Sequence, residues 1–105
     1  MHRTYRKALV LATPKTGLWY PAAKSTLEEM GPGTKFEPLI VDTFGTEVET
    51  LIFCSGFIYF KLMNMIGTTK PKVAIARVEE LAPFPMRNTQ DLLQKYPKSK
   101  WIIWL

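Results

Sequence analysis

Histidine and cysteine are almost missing from this chain: His2 and Cys54 are the only ones. One cysteine rules out an internal disulfide and favours a reducing compartment. One of each removes the His/Cys spacings of a metal site and any Ser-His-Asp or Cys-His set. General acid–base chemistry near neutral pH would fall to a perturbed carboxylate or lysine. Cys54 lies inside the apolar run Leu51–Ser55, where a buried, inert thiol is the plain reading, and His2 stands at a terminus rather than beside it. Neither GxGxxG nor GxxxxGK[ST] occurs, so the common phosphate-cradling loops are absent. No apolar stretch approaches the ~20 residues of a membrane span. The first acid is Glu28; that acid-free beginning faintly resembles an organelle transit peptide, but Lys7–Thr13 reads better as a first core strand.

Basic residues outnumber acidic ones, 14 to 9, for a net charge of +5. They are scattered (Arg3, Arg6, Lys7; Lys70, Lys72; Lys95, Lys98, Lys100), whereas a nucleic-acid reader concentrates them, so no nucleic-acid partner is expected. At 105 residues there is room for one domain, 1–105, with residues 1–6 expected to be a flexible amino terminus.

Four apolar, β-rich runs punctuate the chain: Ala8–Ala12, Thr50–Cys54, Lys72–Val78 and Lys100–Leu105. None alternates cleanly, as expected for strands buried on both faces of a mostly parallel sheet. A fifth run, Phe36–Val41, is broken by Pro38 and reads as an edge or connecting strand. Ser25–Met30 carries a capping-box spacing, Ser25 to Glu28, before Gly31-Pro32-Gly33 stops the helix. Gly56–Ile66 reads as a helix apolar almost all round and buried on more than one side. Asn88–Tyr96 gives a third helix with an inward stripe Thr89, Leu92, Leu93, Tyr96. Thr13–Pro21 reads as an extended loop. The expectation is an α/β fold, a mostly parallel twisted sheet with helices on both faces, doubly wound.

The sharpest signal is Val73-Ala-Ile-Ala-Arg-Val-Glu-Glu-Leu-Ala-Pro-Phe-Pro85. Pro83 and Pro85 cannot continue a ladder, so the strand stops near Leu81 and a helix begins around Met86–Asn88. Glu79 and Glu80 are adjacent at a strand end and point to opposite faces, so they cannot form a catalytic dyad. They read as solvated surface charge or as a salt bridge to a partner or neighbouring domain. Glu28 and Glu29 suit the positive end of a helix dipole.

Lys15 and Thr16 follow the first expected strand, at a strand carboxyl end where ligands bind in α/β folds. A cation and a hydroxyl there suit a phosphate or carboxylate, an ordinary exposed loop being the plain alternative; Arg87, opening the last helix, is a partner by position. Trp19, Tyr20, Phe57, Phe60 and Met63 exceed what one small sheet needs for cover, which points to a protein interface, with simple core burial as the alternative.

Five segments in order, Thr13-Pro-Lys-Thr, Ser25-Thr-Leu-Glu-Glu-Met-Gly-Pro-Gly-Thr34, Leu51-Ile-Phe-Cys-Ser-Gly56, Val73–Pro85 and Lys95-Tyr-Pro97, resemble the C-terminal domain of the E1 component of 2-oxoglutarate dehydrogenase. The wording lies nearest the 2-oxoadipate dehydrogenase E1-like branch, and the resemblance covers nearly the whole chain. It implies a transketolase-type C-terminal domain that helps build the E1 homodimer and meets the E2 of the complex. The complete enzymes of the family, in the tricarboxylic acid cycle or lysine degradation, decarboxylate a 2-oxo acid with thiamine diphosphate and magnesium, held by preceding domains. This chain is therefore expected to hold no cofactor and to be inactive alone. Some bacterial relatives bind acetyl-CoA or a nucleotide as effector around the segment matching Thr13–Lys24, which makes Lys15, Thr16 and Arg87 the implied anion contacts. The implied location is the mitochondrial matrix in a eukaryote and the cytoplasm otherwise, without secretion.

Three departures stand out. Leu18-Trp19-Tyr20-Pro21 replaces the family's Leu-Arg-His-Pro, and Ser55-Gly56-Phe57 replaces Ser/Thr-Gly-Lys, so two cations are lost. The family also continues past Trp104 into an acidic Gln-Glu-Glu-Pro segment, so the chain reads as a solitary or truncated form. The alternative is a free-standing interaction module derived from that domain, with its charged sites turned apolar.

Overall fold

β3 (Val73–Val78) carries the structure: all six residues pair with β1, and Val73–Arg77 pair with β2 as well. The computed structural model describes residues 7, 8, 10–12, 15–67, 69 and 71–105. Their order is α1 (Lys15–Leu18), a 3-10 turn (Glu28–Met30), β1 (Leu39–Phe44), β2 (Thr50–Cys54), α2 (Ile58–Ile66), β3, α3 (Met86–Lys95) and β4 (Trp101–Trp104). The four strands form one sheet in the order β1-β3-β2-β4. β1 runs antiparallel to β3; β2 is parallel to both β3 and β4. The α/β class and the mostly parallel sheet match expectation.

The chain steps from β2 to β3 in one direction along the sheet and from β3 back across β2 to β4 in the other. Right-handed crossovers then require α2 and α3 on opposite faces. The packing agrees. Leu51, Phe53, Ala74, Ala76 and Val78 face α3 through Leu92, with Phe84 and Tyr96 at the margin. Ile52, Cys54, Val73 and Ile75 face α2 through Tyr59, Phe60, Leu62 and Met63. Alternation within β2 and β3 thus feeds two cores, which is why both strands read as unbroken apolar runs.

At the amino ends of the strands Glu49 accepts hydrogen bonds from Lys72 Nζ at 2.8 Å and Lys100 Nζ at 3.0 Å. Lys72 and Lys100 directly precede β3 and β4, so one carboxylate clips three strands together. Those bonds, Lys72 first, hold the Glu49 carboxyl below the usual carboxylate range.

Several expectations need correction. The described part of Ala8–Ala12 carries no strand, and Val10 and Leu11 are 88% and 75% exposed. An apolar run shows what would gain from burial, but it does not supply a ladder partner. Leu9, Thr13, Pro14 and the expected flexible stretch 1–6 lie outside the described residues. Within the expected loop Thr13–Pro21, Lys15–Leu18 forms a single helical turn. Ser25–Met30 condenses to the 3-10 turn, too short a segment to propagate an α-helix. Its reciprocal cap shifts one residue: Thr26 N–H donates to Glu29 Oε2 at 2.7 Å and Glu29 N–H to Thr26 Oγ1 at 3.2 Å. The edge strand starts after Pro38, at Leu39 rather than Phe36, because proline cannot join the ladder. The β3 strand ends at Val78, three residues before Leu81: Glu79 and Glu80 both donate their N–H to Pro38 O instead, at 2.9 and 3.2 Å. In α2 only Tyr59 is buried, so that helix covers the sheet with one side and leaves the other open. In α3, which begins at Met86, Leu92 is buried while Leu93 is turned out.

Leu51, fully buried between β2 and α3, carries the α3-side core. Leu51→Ala is expected to lower unfolding stability by about 2–5 kcal/mol, the usual cost of such a cavity, read as a lower urea midpoint at unchanged slope.

Candidate functional site

In an open α/β sheet the ligand crevice lies at the strand carboxyl ends, where successive crossovers leave toward opposite faces. Here that point lies between β2 and β3, bounded by Cys54, Gly56 and Arg77. Gly56 has φ +60°, a left-handed conformation that suits glycine where β2 turns sharply into α2.

Arg77 is the one charged residue of β3, and its side chain is only 20% exposed. It lies in the layer facing α2, with its guanidinium carbon 4.4 Å from the Tyr59 ring centroid and 5.8 Å from that of Phe60. Its Nε sits 2.6 Å from Glu79 Oε1, yet the N–H is not aligned on that oxygen. The contact is therefore an ion pair that leaves buried Nε without a true hydrogen bond. Tyr59 donates its hydroxyl to Asp42 Oδ2 at 2.8 Å. Burial, then that bond to a carboxylate, pushes the phenol up to about 12.

Two clefts meet at Arg77 and Glu79. The larger, about 800 Å³, runs beside the 3-10 turn and includes Glu29, Lys35 and Phe36. The smaller, about 280 Å³, is lined by Lys24, Ser25, Gly56 and Phe60 besides the Arg77–Glu79 pair. Two cations and one carboxylate leave the smaller cleft net positive. It also adjoins the amino end of α2, where no described side chain caps the helix. Such a setting suits a phosphate or carboxylate group. Cys54, beneath it, is 1% exposed and burial raises its thiol pKa, so it stays a neutral thiol.

Of the residues singled out from sequence, Lys15 and Thr16 stand exposed on α1, and Arg87 stands exposed on α3. No hydrogen bond or ion pair among the described residues joins them. The aromatic group does come together. Tyr20 lies 5.3 Å edge-on from Phe57 and 5.0 Å from Phe60, and Asn64 Nδ2 donates to its hydroxyl at 2.8 Å. Met63 packs instead against the core of Cys54, Tyr59 and Ile75 under α2. Trp19, just after α1, and Met65 on α2 stay more than four-fifths exposed, at 81% and 83%. Glu79 is taken by Arg77, and Glu80 is half-buried beside Pro38. Arg77 itself was not anticipated. The signal available was a lone charge inside an otherwise apolar strand, Ala76-Arg77-Val78.

A family model described as 2-oxoglutarate dehydrogenase C-terminal matches residues 24–105. The chain belongs to this family. It is 48% identical over 109 residues to the 2-oxoadipate dehydrogenase complex component E1 of Mus musculus and 46% identical to that of Homo sapiens. Each match covers 99% of this chain and 12% of the relative. The probable homolog of Dictyostelium discoideum is 36% identical over 113 residues, covering 100% of this chain and again 12% of the relative. The chain thus spans about an eighth of the length of the curated relatives it matches. Among the described residues of this family member no group of three or more His, Cys, Asp or Glu side chains converges as a metal site. No described helix is long and apolar enough to cross a membrane.

The shifted phenol gives a direct check. The chain has four tyrosines, and absorbance titration is expected to show one ionising near pH 12, a phase that Tyr59→Phe removes. Because the folded pKa lies above the ordinary value of 10, Tyr59 favours folding below pH 10, and that contribution falls away as pH rises from 10 toward 12.

Proposed function

We propose that this chain serves as the C-terminal domain of a 2-oxoadipate- or 2-oxoglutarate-class E1, contributing to E1 dimer assembly and performing no catalysis alone. Thiamine diphosphate and magnesium are then held by the rest of the enzyme, in the mitochondrial matrix of a eukaryote or the cytoplasm otherwise. The observation that carries this reading is the apolar surface left open beside α2. Its inner side covers the sheet through Tyr59, while Ile58, Met65 and nearby Trp19 face outward. An exposed face of that kind marks a contact surface, and family membership makes the remainder of an E1 its natural occupant. The chain is expected to co-purify with a full-length 2-oxoadipate dehydrogenase E1. Met65→Glu is expected to weaken that association at least ~10-fold, as a charge buried at an interface core does, without moving the thermal unfolding midpoint. No association with any E1 or E2 would favour the free-standing interaction module instead.

A second reading is favoured by the half-buried Arg77. The net-positive small cleft receives the anionic group of an effector, and the larger cleft, continuous through Arg77 and Glu79, receives the rest. Placed there, the anion lies at Arg77 and Lys24 rather than at Lys15, Thr16 and Arg87. Calorimetric titration with acetyl-CoA and then with a nucleoside monophosphate is expected to show binding to one of them that Arg77→Met abolishes. Binding lost with Lys15→Ala and kept with Arg77→Met would overturn this placement.

A further inference from the structure

The stretch between α1 and the 3-10 turn lies against the sheet and α2 without joining either. From Leu18 to Met30 every residue is exposed except Tyr20, which is half-buried. Tyr20 sets its ring against Phe57 and Phe60, at centroid distances of 5.3 and 5.0 Å, and its hydroxyl accepts from Asn64 Nδ2 at 2.8 Å. All three partners belong to α2 or to the residue just before it. At the far end the reciprocal bonds between Thr26 and Glu29 tie the chain into the 3-10 turn.

Between these two anchors residues 21–25 have little to hold them. Ala23 N–H donates to Tyr20 O at 3.0 Å, a bond within the stretch itself. Among the described residues none of 21–25 makes a hydrogen bond or ion pair to the sheet or to α2. Ala22 and Ala23 carry too little side chain to gain much from burial. A segment with so few buried contacts opens at low cost.

Yet this segment covers the crevice. Residues 22–25 line the cleft of about 280 Å³ together with Gly56, Phe60 and Arg77. Ser25, Arg77 and Glu79 also line the cleft of about 800 Å³, so the segment stands where the two clefts meet. Lys24, the second cation of the small cleft, is carried on it.

We propose that residues 21–25 are a strap over the Arg77 cleft, fastened by the Tyr20 ring, and that its release admits an anionic ligand while its closure brings Lys24 up to Arg77. The two states differ in what a ligand meets. With the strap open it meets Arg77 alone, already ion-paired with Glu79; with the strap closed it is held by Lys24 as well. A ligand that gains a second cation on closure draws the strap shut. This gate serves the anion site of the second reading above and rests on it, whereas the fastening by Tyr20 can be tested without a ligand.

Phenylglyoxal condenses with accessible guanidinium groups, and peptide mass spectrometry reads Arg77 against Arg87, which is exposed on α3. In the intact chain Arg77 is expected to react at least ~10-fold more slowly than Arg87. Tyr20→Ala removes two ring contacts and a hydrogen bond; it is expected to speed Arg77 at least ~5-fold, with Arg87 and the circular dichroism unchanged. Tyr20→Phe, which keeps the ring, is expected to stay within ~3-fold of the parent chain. An Arg77 no faster in Tyr20→Ala, or a Tyr20→Ala chain that unfolds and so makes Tyr20 part of the core, would overturn the strap. Trypsin cleavage after Lys24 requires the strap to open, and saturating acetyl-CoA is expected to slow it at least ~5-fold while leaving cleavage after exposed Lys98 unchanged. Acetyl-CoA that binds through Arg77 without slowing cleavage after Lys24 would overturn the gate. Acetyl-CoA that does not bind counts against the effector reading alone, and Tyr20→Ala then decides the strap.

Discussion

The pairing of β3 on both sides is the constraint on which the rest depends. Ala74, Ile75 and Ala76 are wholly excluded from solvent, with β1 antiparallel on one side and β2 parallel on the other. Because β3 is entered from α2 and left toward α3, it fixes which face each helix covers. It also sets where the crevice opens. Arg77 is held by the same ladder, so the cation at the crevice is positioned by the core rather than by a loop. Glu79 answers it one step beyond the strand, where the tie to Pro38 O brings residues 22–37 alongside. Sheet, crevice and overlying segment are consequences of one strand.

Much of this was readable in advance, for identifiable reasons. β2 and β3 stood out because strands buried against helices on both faces lose the polar alternation and become plain apolar runs, whereas β4 is such a run with all four residues exposed. The α3 start followed from Pro83 and Pro85. β1 was harder: Asp42 and Thr43 dilute its apolar signal, and its true start depends on Pro38 releasing the ladder. The capping register could not be chosen from spacing, since Ser25–Glu28 and Thr26–Glu29 both satisfy it. The Ala8–Ala12 run failed because composition measures a gain from burial and not the presence of a neighbour.

The site was less readable than the fold. Lys15, Thr16 and Arg87 stood out by position along the chain, and the fold sets the first two on α1 and Arg87 on α3. Tyr20 and Phe57, by contrast, were noted as two places where the chain departs from the polar residues its resemblance leads one to expect. They lie 37 residues apart in sequence, on either side of β1 and β2, yet their rings pack edge-on at 5.3 Å. The two positions meet in space, in an aromatic contact that holds the segment after α1 against α2.

The Glu49 clip has its own consequence. The amino end of the sheet is held by exposed ions shared among three strands, whereas the carboxyl end is held by rings, Trp104 on Phe53 and Phe84 below, Tyr59 and Phe60 under Arg77 above. Dissolved salt screens the first kind of contact and leaves the second intact. Ionic strength therefore acts on this sheet as a one-ended lever: the three strands can loosen where they begin while staying fastened where they finish.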